Sequence, residues 1–313
     1  MTEDALSNSV TGAVRNEATT LSQPEILRPH EGLRLVGINA IVLFHAPGAG
    51  GSTIGRELAK RLGARFYDGG KSFRTALGAS QTGTAYMDRE ADLDMDIDQT
   101  QIALMESASS SHPVVIDAKL GARNALLLEQ TNPDIRTARV LITCDKDVAA
   151  GWIFEREVNA IRKAHADLAK RADSGKLGTQ KYLDELEALG ARAAGLDIDR
   201  IKQENEERTK RDKEVFAQLY PELAGVDLYT PGAKIRIGDR DLKLANSTYS
   251  STRTPSGEQG VEDVIQKLVG KGWAKRLRRR PGKSVDVTAD RFWDNYSDRP
   301  TILYRSEQTG QLT

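Results

Sequence analysis

The sequence predicts an α/β fold, a three-layer arrangement in which a parallel sheet carries helices on both faces, and three observations predict it. An apolar run at residues 35–44 leads into a glycine-rich loop and then into a segment of helical spacing. Two further short apolar runs follow, at residues 113–116 and 138–143. Helix-forming sequence at residues 124–129 separates them, so strands and helices alternate as right-handed crossovers between parallel strands require.

Residues 1–34 are rich in Ser, Thr, Asn and Glu without periodicity and predict a mobile arm. The run 35–44 closes on Ile41-Val42-Leu43-Phe44, unbroken and apolar, as a strand buried on both faces of a parallel sheet should read. Beyond the loop, Ile54, Leu58 and Leu62 recur at helical spacing and Gly63 supplies the stop. The strand at 113–116 ends in Asp117. From residue 148 to about 219 the chain is charged and rich in Ala, Leu and Lys, with breaks at Asp173-Ser174-Gly175 and at Gly195. Its apolar positions (Ile153, Ile161 and Leu168, then Leu183, Leu186 and Leu189) are helical in spacing but sparse. Two readings stand for this stretch: solvated helices packed as a hairpin on the sheet, or a mobile helical lid. After Pro221 come short β-like pieces at 234–237 and 242–245, a polar loop through Ser256, and an amphipathic helix on Val261, Val264, Ile265, Leu268 and Val269. A basic cluster at 271–283 opens a polar tail. The expected organisation is an arm (1–34), one domain (35–270) enlarged by a helical insertion (158–206), and the tail (271–313).

Composition narrows the function classes. Forty-five Lys and Arg balance 45 Asp and Glu across 313 residues, so no global field draws the chain to nucleic acid or anionic lipid. Hydrophobic residues are 39%, aromatics 5% and charged residues 29%, which requires an aliphatic core and excludes disorder throughout. No apolar run approaches the ~20 residues of a membrane span, and the first twenty residues lack the basic and apolar regions of an export leader, so no membrane and a cytoplasmic location are expected. Cys144 alone excludes an internal disulfide and a multi-cysteine metal site, and reads as a small hydrophobe closing a strand. His30, His45, His112 and His165 show no metal-ligand spacing.

A glycine loop between a buried strand and a helix N-terminus is an anion site, because unpaired backbone N–H groups converge there and the helix dipole adds positive potential. Against the pattern G-x-x-x-x-G-K-[ST], residues 45–52 read H-A-P-G-A-G-G-S. His45 replaces the first Gly and Gly51 the Lys, while Gly48, Gly50 and the hydroxyl of Ser52 remain. Gly48, Ala49, Gly50, Gly51, Ser52 and Thr53 are therefore the candidate nucleotide-binding residues. Ser52 can offer its hydroxyl to a phosphate-bound Mg²⁺, and Asp117, at the C-terminal end of a central strand, is placed either to hold that ion or merely to close its strand. The point charge that a Lys places on the β/γ-phosphates is missing.

With these motifs the sequence resembles the cytidylate kinases of the nucleoside monophosphate kinase group, the archaeal type above all, a P-loop kinase fold with a helical lid. The loop APGAGGST is similar to that type's loop, which commonly has Thr where Gly51 stands. Gly69-Gly70-Lys71-Ser72-Phe73-Arg74 resembles the segment opening the monophosphate-binding helix, whose Arg (here Arg74) grips the acceptor phosphate. Residues 93–102 line up with the family's acidic helix. Residues 114–121 resemble its strand followed by acid, small residue, Arg and Leu, with Lys119 in place of Arg. The likeness covers 36–157 and resumes weakly at 207–270. In the lid helix the family's two arginines fall on Trp152 and Arg156; in the following R-x-x-x-D-x-x-R pattern Arg208 and Asp212 match and Val215 replaces the last Arg, with Arg211 in a shifted register.

The resemblance implies ATP-dependent transfer of a phosphoryl group to CMP or dCMP with Mg²⁺. Arg74 and Lys119 would take the acceptor phosphate, Arg156, Arg208 and Asp212 the transferred group. Asp94 and Asp98, four apart on one helix face, either meet the base or ribose or belong to a solvated acidic face. Guanidinium groups bond two oxygens at once, which a Lys does not, and losing one transition-state donor typically costs ~10²–10³ in rate. A catalytically weak nucleotide-binding protein acting as a sensor or interaction module, and a P-loop kinase for another small acceptor, are the alternatives. Small-molecule nucleotides are the expected partners, with no nucleic acid, and the insertion or the basic tail offers a surface for a protein partner.

Overall fold

The run Ala40-Ile41-Val42-Leu43-Phe44 becomes the centre of the molecule because all five side chains are taken up by core on one face or the other. The computed structural model describes residues 22–26, 32–76, 91–251 and 258–276. In chain order they form β1 (Glu25–Ile26), β2 (Leu33–Leu35), β3 (Ala40–His45), α1 (Gly51–Leu62), β4 (Arg65–Asp68), α2 (Gly69–Ala76), α3 (Ala91–Glu106), β5 (Val114–Asp117), α4 (Gly121–Thr131), β6 (Thr137–Cys144) and α5 (Lys146–Asp173). There follow α6 (Thr179–Ala194), α7 (Ile198–Leu219), β7 (Lys234–Ile237), β8 (Arg240–Lys243), β9 (Ser247–Ser251), α8 (Glu258–Gly270) and β10 (Ala274–Arg276).

The main sheet runs β1-β4-β5-β3-β6-β9. All its neighbours are parallel except β1, which pairs antiparallel with β4. β3 is the middle of the five parallel strands, Val42 opposing Ile116 on one side and Arg139 on the other. One face packs Ile41, Leu43, Val115 and Val140 against Ile54 and Leu58 of α1 and Val261 and Ile265 of α8. The other packs Val42, Val114 and Ile116 against Met105 of α3 and Leu128 of α4. This is a mixed α/β fold with a mainly parallel central sheet in three layers. At about 25 cal/mol per Å² of apolar surface, the two interfaces supply the dominant favourable term in its stability.

Several elements differ from expectation. The single strand at 35–44 is two: β2 pairs with β10, and the chain turns at Gly37 (φ 67°) before β3 begins. Only a residue without a Cβ turns so at no steric cost. Glu25–Ile26 and the first two residues of Leu33–Leu35, within the segment read as an arm, are in strands, and Leu33 is buried. β4 was not expected; it is only four residues long. β9 lies where a polar loop was expected, and its serines are tolerated because it pairs with β6 alone in the sheet. The arm's residues 1–21 and 27–31, Asp88 at the start of the stretch that leads into α3, and the basic cluster and tail beyond 276 lie outside the described residues.

In the charged stretch α5, α6 and α7 are broken where Ser174, Gly175 and Gly195 stand. α5 is held at its start by Ala149 and Ala150, and α7 near its end by Phe216, which joins Phe44 and Leu141 in a third apolar cluster. α6 buries none of its residues and is tied to α5 by Arg192–Glu157 (2.6 Å) and Arg171–Glu185 (2.8 Å). Among the described residues no helix is long and apolar enough to cross a membrane.

Candidate phosphate loop and adjoining pocket

The loop leaves the C-terminal end of the central strand, the edge at which open α/β sheets bind ligands. Gly48 (φ 82°) and Gly50 (φ 83°) take the left-handed region, and Gly50 caps α1 without a side-chain hydrogen bond. No acidic residue stands in the first turn of α1. A helix N-terminus so arranged aims its first amides and its dipole at whatever lies in the loop. Ala49 is buried and anchors the loop, while Thr53 is exposed. α5 lies over the loop: a Cβ on Gly48 would come 2.9 Å from Ile153 Cδ1 and 3.0 Å from the Ala149 carbonyl oxygen.

Ser52 and Asp117 are brought together. The Ser52 hydroxyl donates to Asp117 Oδ2 at 2.5 Å, and the other carboxylate oxygen, Oδ1, is 2.8 Å from His45 Nε2. Asp68, the strand neighbour of Asp117, lies within reach of the same hydroxyl. Burial and the nearby Asp117 charge push the Asp68 carboxyl above its ordinary range. For His45, burial works to lower the imidazole's affinity for a proton, yet the Asp117 carboxylate beside it leaves that affinity raised. A hydroxyl and two carboxylates are hard oxygen donors, and their chemistry fits Mg²⁺.

A pocket of about 60 Å³ opens between α2, α3, the end of β5 and α7. Gly69, Asp94, Asp98, Lys119 and Arg208 line it, with Phe73 and Phe216 as apolar walls. The sequence-predicted residues divide here. Arg208 faces the pocket from α7, and Arg74 lies beside Gly70, where a Cβ would be 3.4 Å from its guanidinium, and near Asp68. Lys119 and Asp212 form an ion pair that ties the end of β5 to α7. Asp94 and Asp98 are buried, so the solvated acidic face does not hold for them. Asp98 accepts from Tyr220 Oη (2.5 Å), Asn124 Nδ2 (2.9 Å) and Gln101 Nε2 (3.3 Å). Arg156 is apart from the group: its side chain is 67% exposed and lies 3.6 Å from Glu157 on α5. Arg211 is exposed, and Lys71 is engaged by Glu25 at 3.0 Å.

Four residues around the site carry little or no signal in the sequence. Asp68 had a signal, an acid directly before the Gly69-Gly70 pair, but its strand was too short to recognise. His45 stands out in the sequence only as a departure from the pattern. Tyr220 and Arg123, whose guanidinium lies 3.7 Å over the Tyr220 ring, carried no local signal.

No protein-family model matches the chain, and no curated protein does either. Among solved structures it is similar to the full-length tRNA isopentenylpyrophosphate transferase of Bacillus halodurans, at 13% identity and a TM-score of 0.29, covering 74% of this chain and 96% of that one. A likeness at that score carries no inference about activity.

Proposed function

We propose that the chain binds a nucleoside triphosphate, ATP, on residues 48–53 and passes its terminal phosphoryl group to a pyrimidine nucleoside monophosphate, CMP or dCMP, held in the adjoining pocket. The observation that carries this reading is the pairing of an uncapped helix N-terminus on a left-handed glycine loop with Ser52 bonded to Asp117. Phosphate oxygens would accept from the first amides of α1, and the backbone can approach closely because Gly48 and Gly50 have no side chain. Ser52 and Asp117, with Asp68 beside them, would hold Mg²⁺, which when bound neutralises charge on the phosphates. Arg74 and Lys119 would take the acceptor's phosphate. Asp94 would meet the base or ribose, while Asp98 is already committed to three protein donors. Arg208 would meet the transferred group from α7, and Arg156 would reach it only after a movement of α5. In a cytoplasmic protein both nucleotides would be at hand.

A second reading is a weakly catalytic nucleotide-binding protein. It is favoured by Lys119 and Asp212 holding each other and by Arg156 standing in solvent. A kinase acting on another small acceptor would use the same loop with different pocket contacts. Coupled ADP-release assays across the nucleoside monophosphates, run beside calorimetric ATP titrations, separate these. Turnover highest with CMP or dCMP is expected; ATP binding without turnover of any monophosphate sinks the kinase reading in favour of the second.

A further inference from the structure

We propose that Glu25 is a positioning residue for the transfer: its carboxylate ties the helix that carries the phosphate loop to the helix that carries Arg74, and so sets how the two nucleotides meet. The proposal rests on the nucleotide reading of the loop and the pocket.

The segment holding Glu25 contributes nothing to the core. None of residues 22–26 is buried, and Ile26 is 40% exposed. β1 pairs with the edge of β4 at two positions, Glu25 opposite Phe66 and Ile26 opposite Arg65. With so little apolar surface removed from water, the hydrophobic effect gives this strand no part in holding the fold together. Its polar side chains, by contrast, reach both α1 and α2. Glu25 Oε2 accepts from Arg56 Nε at 3.0 Å, and Oε1 accepts from Arg56 Nη2 at 3.2 Å and from Lys71 Nζ at 3.0 Å. One carboxylate is thus gripped by the fork of a guanidinium on α1 and by an ammonium on α2. The hydroxyl of Ser22 meets that of the buried Ser72, the next residue of α2.

Both cations stand one turn from a residue given to a nucleotide. Arg56 follows Ser52 by four residues on α1, and Lys71 precedes Arg74 by three on α2, the spacings that put side chains on one helix face. Each is anchored a second time. The Arg56 guanidinium lies 5.3 Å over the Phe66 ring, and the Lys71 backbone amide donates to Asp68 Oδ1 at 2.8 Å. Glu25 touches neither nucleotide and acts through these two residues. Their side chains are 46% and 48% exposed, so the bridge adds little to stability. Its effect is on placement, where an error of about 1 Å can cost as much as 10²-fold in rate.

Melting temperature, Mg-ATP affinity by calorimetry and steady-state kinetics with CMP, all on the full chain, test this. Glu25→Gln should melt within about 3 °C of wild type and bind Mg-ATP within about twofold. Its kcat/KM for CMP should nevertheless fall about tenfold. Lys71→Met should do the same, and Lys71→Arg, which keeps a cation for the carboxylate, should stay within about threefold of wild type. The double variant Glu25→Gln/Lys71→Met should be within about twofold of either single, because both changes remove one tether. Wild-type kinetics in Glu25→Gln, losses that multiply in the double variant, or a loss of Mg-ATP affinity as large as the loss in kcat/KM overturns the proposal while leaving the nucleotide reading intact. A wild-type chain that binds no Mg-ATP or turns over no monophosphate overturns that reading, and this inference with it.

Discussion

Asp98 gathers an amide from its own helix, an amide from α4 and the hydroxyl of Tyr220 just beyond α7, and burial still pushes its carboxyl above the ordinary range. Removing it strands buried donors, and each unsatisfied group costs about 1–3 kcal/mol. Asp98→Ala should therefore cost about 2–4 kcal/mol in urea unfolding, whereas Asp96→Ala, an exposed position one helical step away, should stay within about 0.5 kcal/mol. Equal effects would contradict the network. The shared helix face of Asp94 and Asp98 was legible from spacing of four. Their burial was not, because the partners Asn124 and Tyr220 lie 26 and 122 residues along the chain from Asp98. The lone thiol, by contrast, behaves as its sequence position suggested. Cys144 closes β6 against the core, and burial pushes it up to about 11, so at pH 8 it should react with a disulfide reagent far more slowly than free cysteine. Rapid labelling would contradict that placement.

At the scale of elements, the strands buried on both faces announced themselves, since only an unbroken apolar run survives there. β3, β5 and β6 were read within a residue or two, apart from the turn that splits β2 from β3. β4 and β9 were not, the first for its length and the second because an edge strand tolerates serine. The charged stretch 148–219 is legible as helices with breaks, but not the way α5 comes down on Gly48 or α7 turns Phe216 into the third cluster. The Lys119–Asp212 ion pair couples the buried Asp212 of α7 to the end of β5. Breaking a buried pair from one side leaves an uncompensated charge, typically at 3–5 kcal/mol. Lys119 is partly exposed, so Lys119→Met should cost about half that, and it should raise amide exchange selectively across residues 198–219. Uniform exchange through the sheet instead would mean that the pair does not join the elements.

Over the whole molecule, a net charge of zero conceals how the charges are spent. Two of the carboxylates of α3, Asp94 and Asp98, are buried beside the pocket, and at the described start of the basic cluster Arg276 is paired with Glu262 on α8. Lys271 lies 5.0 Å over the Trp273 ring. The cations that matter for the proposed site are few and local: Arg74, Lys119 and Arg208 around the pocket. They lie at the C-terminal edge of one parallel sheet, and the proposed site requires that edge to hold triphosphate through Ser52. The most direct measurement is a calorimetric titration of ATP into wild type and Ser52→Ala, with Mg²⁺ and with chelator. Wild type should bind more tightly with Mg²⁺, and Ser52→Ala should lose about tenfold in affinity together with most of the Mg²⁺ dependence. Identical affinities for the two proteins, with or without the ion, would contradict the site.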